Sequence, residues 1–208
     1  MKAIFHIHTK YSFDSIQKPR KIVDWAFKNK IDYIFITDHN TISGCLEAKK
    51  YAKKKKIPVK VITGSEISTD IGDVIGIFIK SNIKSQNHKD VIKEIRSQGG
   101  FVVLPHPYLS HNIDVLPSLE GIDFVEIWNG RTSKKQDRLA KKLQYILKAK
   151  PIAGCDAHFR NELSNCIISF ESLEQFKNGK LKFHLIKKSK KINIYLSWAI
   201  GKMKRLLK

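Results

Sequence analysis

Residues 33–44 read YIFITDHNTISG. An apolar strand, Tyr33 to Ile36, runs directly into Thr37-Asp38-His39-Asn40, and a helix-compatible stretch begins at Ser43. A short continuous apolar run suits a strand covered on both faces, and the C-terminal ends of such strands are where α/β folds build their sites. The same order recurs on either side. Strand-like runs lie at Ala3–His8, Tyr33–Thr37, Val59–Thr63, Val74–Lys80, Phe101–Pro105, Phe124–Trp128, Ile152–Cys155 and Cys166–Phe170. Helical segments are expected at Pro19–Asn29, Ser43–Lys56, Lys89–Gln98 and Ser133–Lys148. Pro19 suits a first helical turn, and Gly99-Gly100 is a stop signal. Strands alternating with helices predict an α/β fold built mainly on parallel pairing, with the sheet either open or closed into a barrel.

Polar residues fall at the ends of these strands. The first ends in His6-Ile7-His8, and residues two apart on a strand share a face. The second ends in Asp38-His39, the third in Gly64-Ser65-Glu66, and the Phe101 strand in Pro105-His106-Pro107. Glu126 lies in the Phe124 strand, and the Ile152 strand leads into Asp156-Ala157-His158. Loop polarity accounts for one such residue, not for six strands together. Histidine and carboxylate without thiolate point to Zn, Mn or Fe, and more than four candidate ligands point to more than one ion. Neither GxxxxGK[ST], GxGxxG nor GxSxG occurs, which removes the main nucleotide-loop and serine-nucleophile readings.

The chain has 208 residues, 42% of them hydrophobic, with a mean hydropathy of −0.30, enough for one substantial core. Cys45, Cys155 and Cys166 form no CxxC pair, so neither a disulfide framework nor a zinc finger is expected and a reducing cytoplasm is the simplest location. MKAIFHIH lacks the apolar run of a signal peptide, and no transmembrane segment is expected. The net charge is +20, from 39 Lys+Arg and 19 Asp+Glu. Residues 175–208 carry eleven bases and no acid. Lys49–Lys56 reads as a solvated helix face, and His88, His111 and His184 as surface or loop residues.

The segments HIHTKYSFDS (6–15), ITDHNTISG (36–44), GSE (64–66), PHP (105–107), VEIWNGR (125–131) and GCDAH (154–158) resemble, in this order, the PHP family of metal-dependent phosphoesterases, named for polymerase and histidinol phosphatase. The literal PHP at 105–107 is a coincidence of letters. The resemblance implies a distorted (β/α)7 barrel with up to three divalent ions at the C-terminal face of its strands, which decides for the barrel. It further implies that His6, His8, Glu66 and Asp156 hold one ion. Glu66 bridges to a second, held also by His106 and Glu126, and Asp14, His39 and His158 hold a third. Asp14 and Glu126 stand where many relatives have histidine. Asp38 and Asn40 are expected to orient His39 or its neighbours, and Arg131 and Arg160 to grip substrate phosphate. Glu66, Asp156 and His158 are the residues assigned to catalysis. The bridging Glu66 would serve a hydroxide shared by two ions, and Asp156 or His158 would shuttle protons where not fully engaged as a ligand.

The expected activity is hydrolysis of a phosphomonoester or phosphodiester, on a small phosphorylated metabolite, a nucleotide or an oligonucleotide. The alternative is a non-catalytic RNA- or protein-binding scaffold on the same barrel, against which the full set of coordinating side chains argues. The PHP domain is expected to span residues 1–186, with Glu171–Lys182 completing a last helix and 187–208 forming a basic amphipathic C-terminal helix. On helical spacing Ile192, Tyr195, Leu196, Ala199, Met203, Leu206 and Leu207 share one face, with Lys202, Arg205 and Lys208 off it. That helix is expected to lie on an anionic membrane surface, to cover an acidic partner, to help hold nucleic acid, or to pack its apolar face on the barrel.

Overall fold

A computed structural model describes residues 1–109, 111 and 114–207. Among them nine strands form: β1 (Lys2–Ile7), β2 (Tyr33–Ile36), β3 (Lys60–Thr69), β4 (Gly72–Ile77), β5 (Phe101–Leu104), β6 (Phe124–Asn129), β7 (Lys150–Gly154), β8 (Cys166–Ser169) and β9 (Lys182–Leu185). The α-helices are α1 (Pro19–Lys28), α2 (Ser43–Lys54), α3 (His88–Ser97), α4 (Lys134–Ile146), α5 (Leu173–Lys177) and α6 (Lys191–Leu206). The strands form one sheet in the order β7-β6-β5-β4-β3-β2-β1-β8-β9.

The sheet curls into a nearly closed barrel. At the seam, Cys155 N–H donates to the Phe5 carbonyl at 2.9 Å, Ala157 N–H to His6 at 3.0 Å, and His8 N–H to Ala157 at 2.9 Å. These bonds join β1 to the end of β7, so closure happens where the HxH motif leaves its strand. Phe5, Phe35, Phe124, Ile75, Val103, Ile152 and Ile168 fill the interior. Phe176 of α5 plugs it, stacking on Phe35 at 4.8 Å and touching Phe78, Phe124 and Phe170. A second apolar cluster (Ile4, Ile7, Ile22, Val23, Ile34, Ile36, Ala48) glues α1 and α2 to the outside.

Pairing departs from the mainly parallel expectation. The β1–β2, β2–β3, β5–β6 and β6–β7 pairs are parallel, whereas β3–β4, β4–β5, β1–β8 and β8–β9 are antiparallel. The physical reason is connection length. Only Asp70 and Ile71 separate β3 from β4, and a parallel crossover needs a dozen residues or more. Accordingly β3 runs on to Thr69, past its expected end at Thr63. Glu171–Lys182 is likewise not one helix. It holds the five-residue α5, then Gly179 at φ +72°, and leads into β9.

Residues 186–190 are tied to the barrel: Ile186 N–H donates to Asn165 at 2.9 Å and Ser189 N–H to Gly130 at 2.7 Å. The Lys188 ammonium reaches the Asn129 carbonyl and Asp137, both at 2.6 Å. The helix that follows turns the unexpected way round. Asn193, Ser197 and Gly201 are its buried residues, while Ile192, Tyr195, Leu196, Met203, Leu206 and Leu207 are 42–79% exposed. The reading in which the apolar face packs on the barrel is thereby overturned. The rim beneath α6 is polar backbone. The Lys204 ammonium caps the carbonyls of Lys10, Ser12 and Ser15 at 2.6–3.2 Å, and small residues let the helix approach Phe13. A Cβ added to Gly201 would meet the Phe13 ring at 3.0 Å.

Candidate metal centre

Local backbone distortion aims the site residues. Register shifts interrupt β1 between Ile4 and Ile7 and β6 between Glu126 and Trp128, and bulges of this kind re-aim side chains. His6, His106 and Asp156 all hold left-handed backbone, at φ 66°, 25° and 49°. Non-glycine residues pay for that geometry in strain, and such strain concentrates at functional sites.

The side chains converge at one rim of the barrel. Glu66 Oε2 lies 3.2 Å from both His6 Nε2 and His8 Nε2, and Asp156 Oδ1 lies 3.6 and 3.4 Å from the same two atoms. A tetrahedral ion with bonds of about 2.0–2.2 Å has ligand–ligand edges of about 3.3–3.6 Å, so this quartet fits a first-row divalent ion. The other oxygen of Glu66, Oε1, is 2.9 Å from His106 Nε2, leaving the carboxylate shared between two groups of ligands. Asp14 Oδ2 lies 2.7 Å from His158 Nε2 and 3.5 Å from His39 Nε2, with His8 close by. His8 Nε2, Asp14 Oδ1, His39 Nδ1 and His106 Nδ1 are buried and lack a well-formed hydrogen bond. Buried polar atoms are almost always satisfied, and His8 Nε2, left without a hydrogen bond while aimed at the Glu66 and Asp156 carboxylates, points to a missing polar partner such as a cation.

Electrostatics agree with ligand chemistry. Burial would raise the Glu66 carboxyl, but the charges of His6 and His39 and hydrogen bonds from His106 and His6 hold it well below the usual range. Asp156 is held down in the same way, against burial, by His6, His8, His158 and Arg131. Burial lowers the His8 imidazole, yet Asp156 and Glu66 outweigh it and raise it to about 10. His106 rises to about 9 against burial, through Glu66.

Surrounding groups fix these ligands. Glu126 differs from its expected role as a ligand. Its Oε1 accepts from His6 Nδ1 at 3.0 Å, and its Oε2 accepts from the His106 N–H at 2.9 Å and the Asn129 amide at 2.8 Å. It therefore stands behind His6 and orients the ring, and it belongs to none of the ligand groups among the described residues. Gly154 is required there, since a Cβ would collide with Glu126 and His6. Asp38 accepts from Thr9 N–H at 2.5 Å and Thr9 Oγ1 at 2.7 Å, which fixes the loop leading to Asp14 rather than the His39 ring. Asn40 donates its N–H to the Glu66 carbonyl at 2.8 Å and accepts from Ser68 N–H at 3.1 Å, which holds β3 beside Glu66. His8 Nδ1 is 3.0 Å from Ser12 Oγ, which also accepts from His39 N–H at 3.0 Å.

The two expected phosphate arginines fare differently. Arg131 lines the cavity, but its guanidinium pairs with the buried Glu162 at 3.0 Å and donates to the Asp156 carbonyl at 2.9 Å and to Ser197 Oγ at 2.6 Å. Glu162 in turn accepts from His158 N–H at 2.9 Å and Phe159 N–H at 3.0 Å, so this pair shapes the turn that carries Asp156 and His158. Arg160 is exposed and does not line the cavity.

A cavity of about 360 Å³ opens over the centre. It is lined by the candidate ligands other than the fully buried His6, together with Phe13, Asp73, Leu109 and Arg131, and by Ile194, Ser197, Trp198 and Arg205 of α6. Three contributors escape sequence reasoning. Asp73, grouped with His39 and Glu66, begins an antiparallel strand, so its N-terminal end reaches the rim that the parallel strands reach with their C-terminal ends. Trp198 and Arg205 lie beyond every motif, and only the 3.6-residue period of α6 places them together. His111, expected as a surface or loop residue, lies beside His106 with ring centroids 5.9 Å apart and its Nε2 2.7 Å from the Asp73 carbonyl.

Fold and site together define a class: a mixed α/β barrel of the PHP type with a histidine–carboxylate centre at one rim. The PHP domain model matches residues 5–195, and the chain belongs to the PHP domain family. An uncharacterised protein of Methanocaldococcus jannaschii is 44% identical over 119 residues, covering 52% of this chain and 68% of that protein. A second uncharacterised protein of the same organism is 28% identical over 185 residues, covering 83% and 72%. Among solved structures, a two-domain protein from Bacteroides vulgatus containing a predicted PHP-like metal-dependent phosphoesterase superposes with a TM-score of 0.73. It is 20% identical, covering 96% of this chain and 69% of that one.

Proposed function

We propose that this protein hydrolyses phosphate esters of small molecules or mononucleotides with two to three divalent ions of the Zn, Mn or Fe type. The observation that supports it most is the convergence of His8, Asp14, His39, Glu66, His106, Asp156 and His158 on one cavity, with His6 buried against Glu66 and Asp156 and with His8 Nε2 lacking a hydrogen bond among these carboxylates. Divalent ions held there supply an activated water at neutral pH and offset charge on phosphate oxygens. His6, His8, Glu66 and Asp156 form one set of ligands, Glu66 and His106 contribute to a second, and Asp14, His39 and His158 to a third. Asp156 and His158 act as ligands in this reading.

The grip on phosphate moves from Arg131 to Arg205. Arg131 is neutralised by Glu162, whereas Arg205 lines the cavity, stacks over Phe13 at 4.7 Å and forms no ion pair among the described residues. A guanidinium so placed has its donors free for phosphate oxygens. Substrate size follows from the roof. With α6 across the rim and about 360 Å³ beneath it, the cavity has the size of a small phosphorylated metabolite or mononucleotide, which favours such substrates over a polymer.

The test is a panel of phosphomonoesters, mononucleotides, diesters and oligonucleotides under Zn, Mn and Mg, with metal content measured on the same samples. Release of phosphate from the small esters and none from oligonucleotides is expected. Full metal occupancy with no hydrolysis of any ester overturns the proposal in favour of a binding scaffold. Arg205→Ala is expected to raise KM by roughly tenfold or more with an unchanged melting temperature, and an unchanged KM removes Arg205 from substrate binding.

A further inference from the structure

The helix that roofs the cavity has an outer face that nothing in the fold uses. Surface helices ordinarily turn their apolar stripe toward the core. In α6 the inward residues are Asn193, Ser197 and Gly201, and the stripe of Ile192, Tyr195, Leu196, Met203, Leu206 and Leu207 points to solvent at 42–79% exposure. Leu185 and Ile186, just before the helix, are exposed as well, at 45% and 57%, beside Lys134, Arg138 and Lys141 of α4. Contiguous apolar surface on that scale marks an interaction site.

Its chemistry selects the partner. Lys187, Lys190, Lys191 and Lys202 are exposed around the stripe, and no acid occurs between residues 175 and 208. Tyr195 and Trp198 sit side by side with ring centroids 6.2 Å apart, and the Lys202 ammonium lies 5.6 Å from the Trp198 ring. Amphipathic rings beside cations, flanking an aliphatic stripe, match the layering of a lipid headgroup region over acyl chains.

We propose that α6 docks on an anionic phospholipid bilayer, lying in the plane of the headgroups with its outward stripe at the acyl boundary and the flanking bases on lipid phosphates. The helix is too short and too basic to cross, and no helix of the described residues is long and apolar enough to span a membrane. Charge argues against a second copy as occupant, because paired α6 stripes would bring two acid-free tails together. The aliphatic stripe argues against nucleic acid, whose phosphates need the bases but not Ile192, Met203 or Leu206. The inference does not rest on the hydrolytic reading: Trp198 borders both the cavity and the outer surface, but vesicle binding is read without substrate or turnover.

Co-sedimentation of the full chain with phosphatidylcholine vesicles containing phosphatidylglycerol, against phosphatidylcholine alone, tests it. Binding only to the anionic vesicles is expected. It should weaken at high salt and fall at least about tenfold in the Ile192→Ser/Met203→Ser/Leu206→Ser variant, with the melting temperature and metal content unchanged. Absence of binding to anionic vesicles overturns the proposal. Undiminished binding by the triple variant does so too, because charge alone is then acting. A dimer that the variant converts to a monomer assigns the stripe to self-association instead, and stripe-dependent binding to an oligonucleotide without vesicle binding assigns it to nucleic acid.

Discussion

At Glu126 both carboxylate oxygens are engaged, one with the His6 ring and the other with the His106 backbone and Asn129. A carboxylate behind a ligating histidine sets the tautomer and raises the basicity of the ring. Glu126→Gln is therefore expected to lower metal affinity about 10–100-fold while keeping the number of bound ions, read by chelator competition. Loss of one whole ion would make Glu126 a ligand after all. The candidate ligands, if they hold metal as proposed, impose a pH dependence. With His8 raised to about 10 and His106 to about 9, both rings are protonated at pH 7 and must give up protons to coordinate. Metal affinity should thus climb from pH 7 to about 9–10 and then level off. Without metal the sign is opposite: these raised values contribute stability that is full below the ordinary histidine range and is lost as pH rises through 9–10. Calorimetry in buffers of different ionisation heat should register proton release on metal addition, and none would contradict the assignment. Residue types at strand ends made the candidate ligands legible in the sequence. What separates Glu126 from Glu66 was not legible, because both are glutamates on strands and only the bulge in β6 and the contact across Gly154 decide which way each faces.

Among the elements, the turn after β7 depends on a buried ion pair. Arg131 and Glu162 are 7% and 1% exposed, and removing one partner of such a pair leaves an uncompensated charge at a cost of about 3–5 kcal/mol. Arg131→Met is expected to lower the melting temperature sharply, whereas Arg205→Ala leaves it unchanged; equal thermal behaviour of the two would remove the structural role assigned to Arg131. Strand and helix periodicity revealed most elements, including α1, α3 and α4 to within a residue or two. The β3–β4 hairpin was hidden because Gly64-Ser65-Glu66 reads as a strand end, when Ser65 and Glu66 are buried on opposite faces of a strand that continues to Thr69. The orientation of α6 was hidden for a different reason. Its period predicts an apolar face correctly, but whether that face turns in or out depends on the rim, where free carbonyls of the loop at 10–15 favour Lys204 over leucine.

Taken as a whole, the molecule separates its charge from its chemistry. About half of the excess of bases, +11 of +20, lies in residues 175–208, while the carboxylates and imidazoles meet at the barrel seam. The fold class follows from strand–helix alternation, and the barrel closure from contacts 149–150 residues apart, such as the Cys155 thiol on the Phe5 and His6 carbonyls, which no local pattern encodes. The central claim is that the rim cluster is a metal centre that breaks phosphate esters. Its most direct test is phosphate release from a mononucleotide by protein stripped with chelator and then reloaded, alongside Glu66→Gln at measured metal content. The account predicts that activity disappears with the metal, returns with it in the wild type, and does not return in Glu66→Gln. Fully loaded wild type that releases no phosphate, or a Glu66→Gln protein that matches it, would contradict the account.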